Sequence, residues 1–225
     1  MCHNGNIINV NTLKSMLKKF YKVNIQTIEM SDSLVLFHLI FNYINFHCKN
    51  ISKLTSNILV DLSIFLHENV NGSYNILLTI QNYGLVVFKD KWGVRPLIYG
   101  NNDNNDILVS SESCSFNNVP GYKNFIDVKP GETIIFKLNR NDDPFQHQYQ
   151  YRYYNALLKP CLFEYIYFAR LDSIINNISV YKFRFLLGNM LGKIIKDSKI
   201  HVDFVIPTPE TSRVYAYGLS EYTGI

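Results

Sequence analysis

The chain has 225 residues, 47% of them hydrophobic and 14% aromatic, enough to bury one large core or two modest ones, so global disorder is excluded. Its net charge is +4, with lysines dispersed among acids and apolar residues; this is not the dense basic face of a nucleic-acid-binding protein. The polar start MCHNGN is unlike a cleavable signal, and the longest apolar run, 34–46, is short and interrupted by His38, Asn42 and Asn45. Neither export nor membrane insertion is expected, and the expected setting is cytoplasmic and reducing.

Cys2, Cys48, Cys114 and Cys161 lie far apart without a CxxC pair, which argues against a zinc site or a disulfide framework. Lys14, Lys18, Lys19 and Lys22 fall on the polar side of a predicted helix and read as its solvated face. The excess of Asn, Ile, Lys, Tyr and Phe is a compositional bias that carries no motif.

In chain order, residues 3–9 (HNGNIIN) place an Asn-Gly tight turn ahead of a helix. Its apolar positions Leu13, Met16, Leu17, Phe20 and Tyr21 have i, i+3, i+4 spacing, and Asn9 or Asn11 is its cap. Ser31-Asp32-Ser33 is an N-cap signal before the apolar stretch 34–44. A third helix is predicted over 52–68 from Leu54, Ile58, Leu62, Phe65 and Leu66. Asn71-Gly72 then turns the chain into a hairpin, 74–81 and 84–89, about Asn82-Tyr83. Lys129-Pro130-Gly131-Glu132 is a turn before the strand 133–138. Residues 139–154 have no clean period and read as a linker.

Farther on, Val180, Phe183, Leu187, Met190, Leu191, Ile194 and Ile195 predict the buried stripe of a helix ending near Lys199. Residues 202–206 predict a buried strand running into Pro207. The polar loop 207–212, PTPETS, then sits at the carboxyl end of that strand, where ligands of open α/β sheets gather. A helix starting near Ser212 offers free amides to a phosphate.

Residues 162–170, 172–173 and 178–181 resemble the stretch that opens the phosphoribosyltransferase half of the amidophosphoribosyltransferase family. These glutamine-dependent enzymes make phosphoribosylamine from phosphoribosyl pyrophosphate, the first step of de novo purine synthesis. Residues 89–100 (KDKWGVRPLIYG) are similar to the family's Asp-Pro-x-Gly-Ile-Arg-Pro-Leu element at Asp90, Gly93, Arg95 and Pro96, and depart from it at Lys91. VSSESC (109–114) and DVKPGE (127–132) extend the likeness in the same order. The resemblance runs from His3 to Ile225 and covers only the middle of the family's enzyme.

The resemblance implies a mixed α+β and α/β chain, with residues 1–155 forming a partial amino-terminal-nucleophile (class II glutamine amidotransferase) sandwich and 156–225 beginning a phosphoribosyltransferase domain. By the same likeness, the Asn4 side chain and the Gly5 amide are oxyanion donors, matching the need of a charged carbonyl oxygen for preorganised donors. Asp32 pairs with the ammonium of glutamine, beside its capping role. Glu210, Thr211 and Ser212, with Arg213, hold the pyrophosphate of phosphoribosyl pyrophosphate, which Mg²⁺ neutralises.

The family's nucleophile is a cysteine well upstream of HNGN. Cys2 is a candidate once Met1 is removed, but with only His3 between it and Asn4 it is poorly placed to converge with the donors on one carbonyl. Asp142-Asp143 precede Pro144 in the expected linker and do not match the family's later strand-borne acid pair. Cys161 lies where some members ligate an iron–sulfur cluster, but one thiol does not hold four irons, and no cluster is expected. The expectation is a truncated or split amidophosphoribosyltransferase homologue, inactive alone. The alternatives are a non-catalytic module assembling with a complementary chain or as a homo-oligomer, and a Cys2-dependent glutamine hydrolase.

Overall fold

The computed structural model describes residues 1–23, 31–122, 124–138 and 147–225. The chain divides into two compact units, Met1–Ser111 with Val128–Pro160, and Glu112–Asp127 with Cys161–Ile225.

The first unit is built on a five-stranded antiparallel sheet. Strand β1 (Cys2–Ile7) is one edge, followed by β2 (Gly72–Ile80), β3 (Gly84–Lys89), Glu132–Lys137 and the opposite edge His147–Arg152. The predicted Asn-Gly turn is therefore a strand interior: Asn4 pairs with Asn75 and Gly5 with Tyr74. The glycine answers a close approach, since a Cβ there would lie 2.1 Å from the Ser73 carbonyl oxygen. The predicted linker is likewise corrected. His147–Arg152 pairs along Glu132–Lys137, and pairing gives this polar segment the order its sequence pattern lacks. Residues 139–146, with Asp142-Asp143, lie outside the described residues.

Helices α1 (Val10–Tyr21), α2 (Asp32–His47) and α3 (Ser56–Asn69) cover one face of this sheet, packing Leu13, Leu17, Leu36, Leu39, Leu59 and Leu62 against Tyr74, Ile76, Val86, Phe88 and Ile135. Ser31 and Thr55 cap α2 and α3 through their hydroxyls, accepting from Leu34 N–H and Ile58 N–H. Asn9 flanks α1 without capping it, because its carboxamide instead clasps Asn69 O and Asn71 N–H. On the other face, Val87, Ile134 and Phe136 pack with Leu97, Tyr99 and Val128. Here β4 (Ile98–Asn101) and β5 (Ile107–Ser110) form a second hairpin.

A buried polar chain ties α3 to the sheet. His67 shares hydrogen bonds with Tyr74 Oη through Nδ1 (2.7 Å) and with Ser63 Oγ through Nε2 (3.2 Å), and Ser63 Oγ reaches Thr133 Oγ1 at 2.6 Å. Burial, aided by nearby Lys91, lowers the imidazole pKa to about 4, so the ring is neutral at pH 7.

In the second unit, helix Val180–Asp197 buries Val180, Arg184, Gly188 and Gly192, a line of every fourth residue, and leaves Met190, Leu191 and Ile194 exposed. The expected apolar stripe is thus buried at its start, where Val180 is enclosed and Phe183 packs beside it, and turned outward at Met190, Leu191 and Ile194, because Gly188 and Gly192 admit the backbone of helix Arg213–Thr223. A Cβ on Gly188 would fall 2.2 Å from Tyr215 O, and one on Gly218 2.1 Å from Phe185 O. Arg184 donates to Tyr165 O (2.7 Å) and Ala169 O (2.8 Å), closing the end of the helical turn Glu164–Phe168. Residues 202–206, predicted as a buried strand, are not a strand: among the described residues no strand pairs along them, and Phe204 and Ile206 are 81% and 86% exposed. Among the described residues no helix is long and apolar enough to cross a membrane.

Candidate active site

β1 is an edge strand, so alternate N–H groups face β2 and the open side. The Ile7 N–H donates to Asp32 Oδ2 (3.1 Å) on the open side, and strand alternation turns the Gly5 N–H the same way. The Asn4 side chain projects on the hairpin-bearing face, where its Nδ2 donates to Ser111 Oγ at 3.1 Å. Gly5 N–H, the Asn4 carboxamide and the Asp32 carboxylate are thereby gathered at one edge of the sheet. Cys2 is exposed and shares the face of Asn4, two strand residues or about 6.6 Å away along the same chain direction.

Asp32 sits in the first turn of α2, and its Oδ1 also accepts the Ser33 N–H at 2.7 Å, so a structural duty is built into this carboxylate. Ser33 Oγ lies 2.8 Å from His3 Nδ1, while His3 Nε2 is buried and without a hydrogen-bond partner among the described residues. Burial lowers the His3 pKa, outweighing the pull of Asp32 in the other direction.

The element 89–100 is a turn organised about Asp90. Its buried carboxylate accepts from Trp92 N–H (2.8 Å), Val94 N–H (3.3 Å) and Tyr74 N–H (3.4 Å), and burial raises its pKa against those bonds. Gly93 takes φ +56°, which a side chain resists. Beyond it, Asn75 Nδ2 donates to Pro96 O (2.7 Å) and Arg95 O (3.3 Å), fixing that turn to the cross-strand neighbour of Asn4. Ser111 and Asn75 escape sequence reasoning: each is an ordinary polar residue whose partners are distant in the chain.

In the second unit, the loop 207–212 leads into helix Arg213–Thr223, whose ladder opens with Ala216 N–H to Ser212 O (2.9 Å); the Ser212 and Arg213 N–H groups already donate to Thr208 O (3.4 Å) and Glu210 O (3.3 Å), so the amides at the helix start that remain are those of Val214 and Tyr215. A cavity of about 310 Å³ lies here, lined by Ile166, Tyr167, Thr208, Pro209, Thr211, Ser212 and Tyr215. The Glu210 carboxylate is outside this lining and pairs with Arg213 Nη2 at 2.9 Å, while Ser212 Oγ donates to Thr208 O. Thr211 and Ser212 thus reach the cavity, and Glu210 does not. Among the described residues, no group of three or more His, Cys, Asp or Glu side chains is placed to hold a metal ion, so these side chains alone do not fit the Mg²⁺ that the resemblance implies.

No family model matches the chain. Curated amidophosphoribosyltransferases do. The one from Haemophilus influenzae is 33% identical over 236 residues, covering 100% of this chain and 44% of the relative. That of Escherichia coli is 33% identical over 230 residues, with the same two coverages. That of Schizosaccharomyces pombe is 31% identical over 235 residues, covering 97% and 43%. Among solved structures, the glutamine phosphoribosylpyrophosphate amidotransferase from B. subtilis, complexed with ADP and GMP, superposes with a TM-score of 0.75 at 32% identity, covering 100% of this chain and 44% of that one. Sequence and fold agree that the chain is an amidophosphoribosyltransferase homologue spanning less than half the length of the relatives it matches.

Proposed function

We propose that this chain carries part of the machinery that moves the amide nitrogen of glutamine onto phosphoribosyl pyrophosphate, with residues 1–155 serving the glutamine half and 156–225 opening the phosphoribosyl half. The observation that carries the proposal is the meeting of Asn4, Gly5 and Asp32 at one open sheet edge. Nucleophilic attack on a glutamine amide moves negative charge onto its oxygen. The Asn4 Nδ2–H and the Gly5 N–H are two donors of different origin that can receive it there, and Asp32 offers the counter-charge for the α-ammonium. In the second half, the Thr211 hydroxyl and the Val214 and Tyr215 amides receive the pyrophosphate, joined by the Ser212 hydroxyl once it turns from Thr208 O to the anion. Glu210 acts by holding Arg213 over the loop.

The resemblance sets the family's nucleophile upstream of Asn4-Gly5 and not at Cys2, two residues from Asn4 on the same strand, so ammonia release from glutamine through Cys2 is not expected of this chain alone. Cys2-dependent ammonia release, abolished by Cys2→Ala, would contradict this. Ligand binding is the sharper test: glutamine and phosphoribosyl pyrophosphate, added separately, each raise the melting temperature of the native chain in a concentration-dependent way. No shift with either ligand contradicts the proposal.

A second reading, a non-catalytic module that docks a complementary chain or a second copy, is favoured by one observation. The second unit exposes Met190, Ile194, Phe204 and Ile206, each more than 60% accessible. On that reading the chain sediments as a complex, and neither ligand shifts its melting.

A further inference from the structure

We infer that Ser111 is a positioning residue for the Asn4 carboxamide, holding one of its two amide protons so that the other is presented to the substrate oxygen. The inference rests on the proposed role of Asn4 as an oxyanion donor. A carboxamide on an edge strand is free to turn about two side-chain torsions, and a donor that must reorganise at the moment of reaction is a poor one. Asn4 Nδ2 donates to Ser111 Oγ at 3.1 Å, a bond between residues 107 positions apart. One anchored proton sets the plane of the amide and, with it, the direction of the second proton.

Ser111 is itself held from behind. It follows β5 directly, and β5 is zipped to β4 with Ser110 opposite Ile98. Two residues before Ile98, the Pro96 carbonyl is grasped by Asn75, which stands opposite Asn4 across β1 and β2. The contacts close into a ring, Asn4 to Asn75, to Pro96, through the hairpin to Ser111, and back to Asn4. A shift of the hairpin relative to β1 therefore moves the donor.

The test uses the whole chain and compares binding of L-glutamine with that of L-norvaline, which has the same carbon chain without the amide. Asn4 touches only the amide, so loss of its positioning lowers the preference for glutamine and leaves norvaline binding unchanged, which a general loss of structure does not. Ser111→Thr keeps the hydroxyl and is expected to keep the preference. Ser111→Val has nearly the same shape and is expected to lose roughly fivefold of it, the worth of one neutral hydrogen bond. Adding Ser111→Val to Asn4→Ala is expected to cost nothing further. If Ser111→Val does not fold, Ser111→Ala is read in the same way. A wild-type preference that survives in the Val or Ala variant overturns the role of Ser111 and leaves that of Asn4 standing. A wild-type chain that binds glutamine no better than norvaline overturns the role of Asn4 and this inference with it.

Discussion

The Asp32 carboxylate accepts the Ile7 N–H at 3.1 Å, joining the first turn of α2 to the open edge of β1. One side chain thus serves the fold and faces the proposed ammonium site, and substitution separates the two duties. Asp32→Ala strands a strand-edge N–H and is expected to cost about 1–3 kcal/mol in urea unfolding. Asp32→Asn keeps an acceptor for that N–H and costs less than about 1 kcal/mol, yet removes the charge and weakens glutamine binding at least tenfold by calorimetry. Equal glutamine affinity in the Asn variant and the wild type contradicts the binding role.

His67 makes the first unit sensitive to acid. Its folded pKa of about 4 lies below the ordinary value of 6.5, so between these values the unfolded chain binds more protons. Stability is fully present above about pH 6.5 and falls progressively as the pH drops toward 4, by about 3 kcal/mol in all. Asp90, whose pKa burial raises, contributes with the opposite sign at the acid end, so the comparison to make is wild type against His67→Gln. The variant is less stable at neutral pH, and its unfolding free energy is flatter between pH 6.5 and 4.

The crossing of helices Val180–Asp197 and Arg213–Thr223 depends on missing side chains. A Cβ at Gly218 would sit 2.1 Å from Phe185 O, whereas at Gly192 the nearest atom, Leu219 O, is 3.1 Å away. Gly218→Ala is expected to destabilise the second unit by about 1–3 kcal/mol even though alanine improves helix propensity by about 1 kcal/mol. Gly192→Ala is expected to cost less. A thermal melt in which the two variants are equal contradicts this packing.

The Glu210–Arg213 ion pair is exposed, so breaking it changes stability by less than about 1 kcal/mol. Its proposed work is on the ligand. Arg213→Ala is expected to weaken pyrophosphate binding several-fold and to reduce its salt dependence, measured by titration at two ionic strengths. Unchanged affinity and salt dependence place the anion elsewhere.

Much of this was legible in the sequence where the signal is local. The hairpin about Asn82-Tyr83, with Asn82 at φ +60°, and the Ser31 cap of α2 follow from residue types at short spacing. The errors come from interactions the local pattern does not carry. Asn4-Gly5 has the composition of a turn, and only the approach of Ser73 from another strand explains the glycine. In helix Val180–Asp197 the apolar spacing holds at Val180 and Phe183, while farther along Gly188 and Gly192 set the buried line by admitting a neighbouring backbone and leave Met190, Leu191 and Ile194 outside. Ser111 lies in VSSESC, which extends the family likeness, but nothing in that stretch tells of its bond to Asn4, because the two are 107 residues apart.

Hydrogen–deuterium exchange of the chain, free and with each ligand, tests the two proposed pockets most directly. Glutamine is expected to slow exchange in 4–8 and 32–34, phosphoribosyl pyrophosphate in 210–216, each leaving the other stretch unchanged. Protection confined to other segments, or none with either compound at saturating concentration, contradicts the assignment of an amide pocket at β1 and a diphosphate pocket at 207–213.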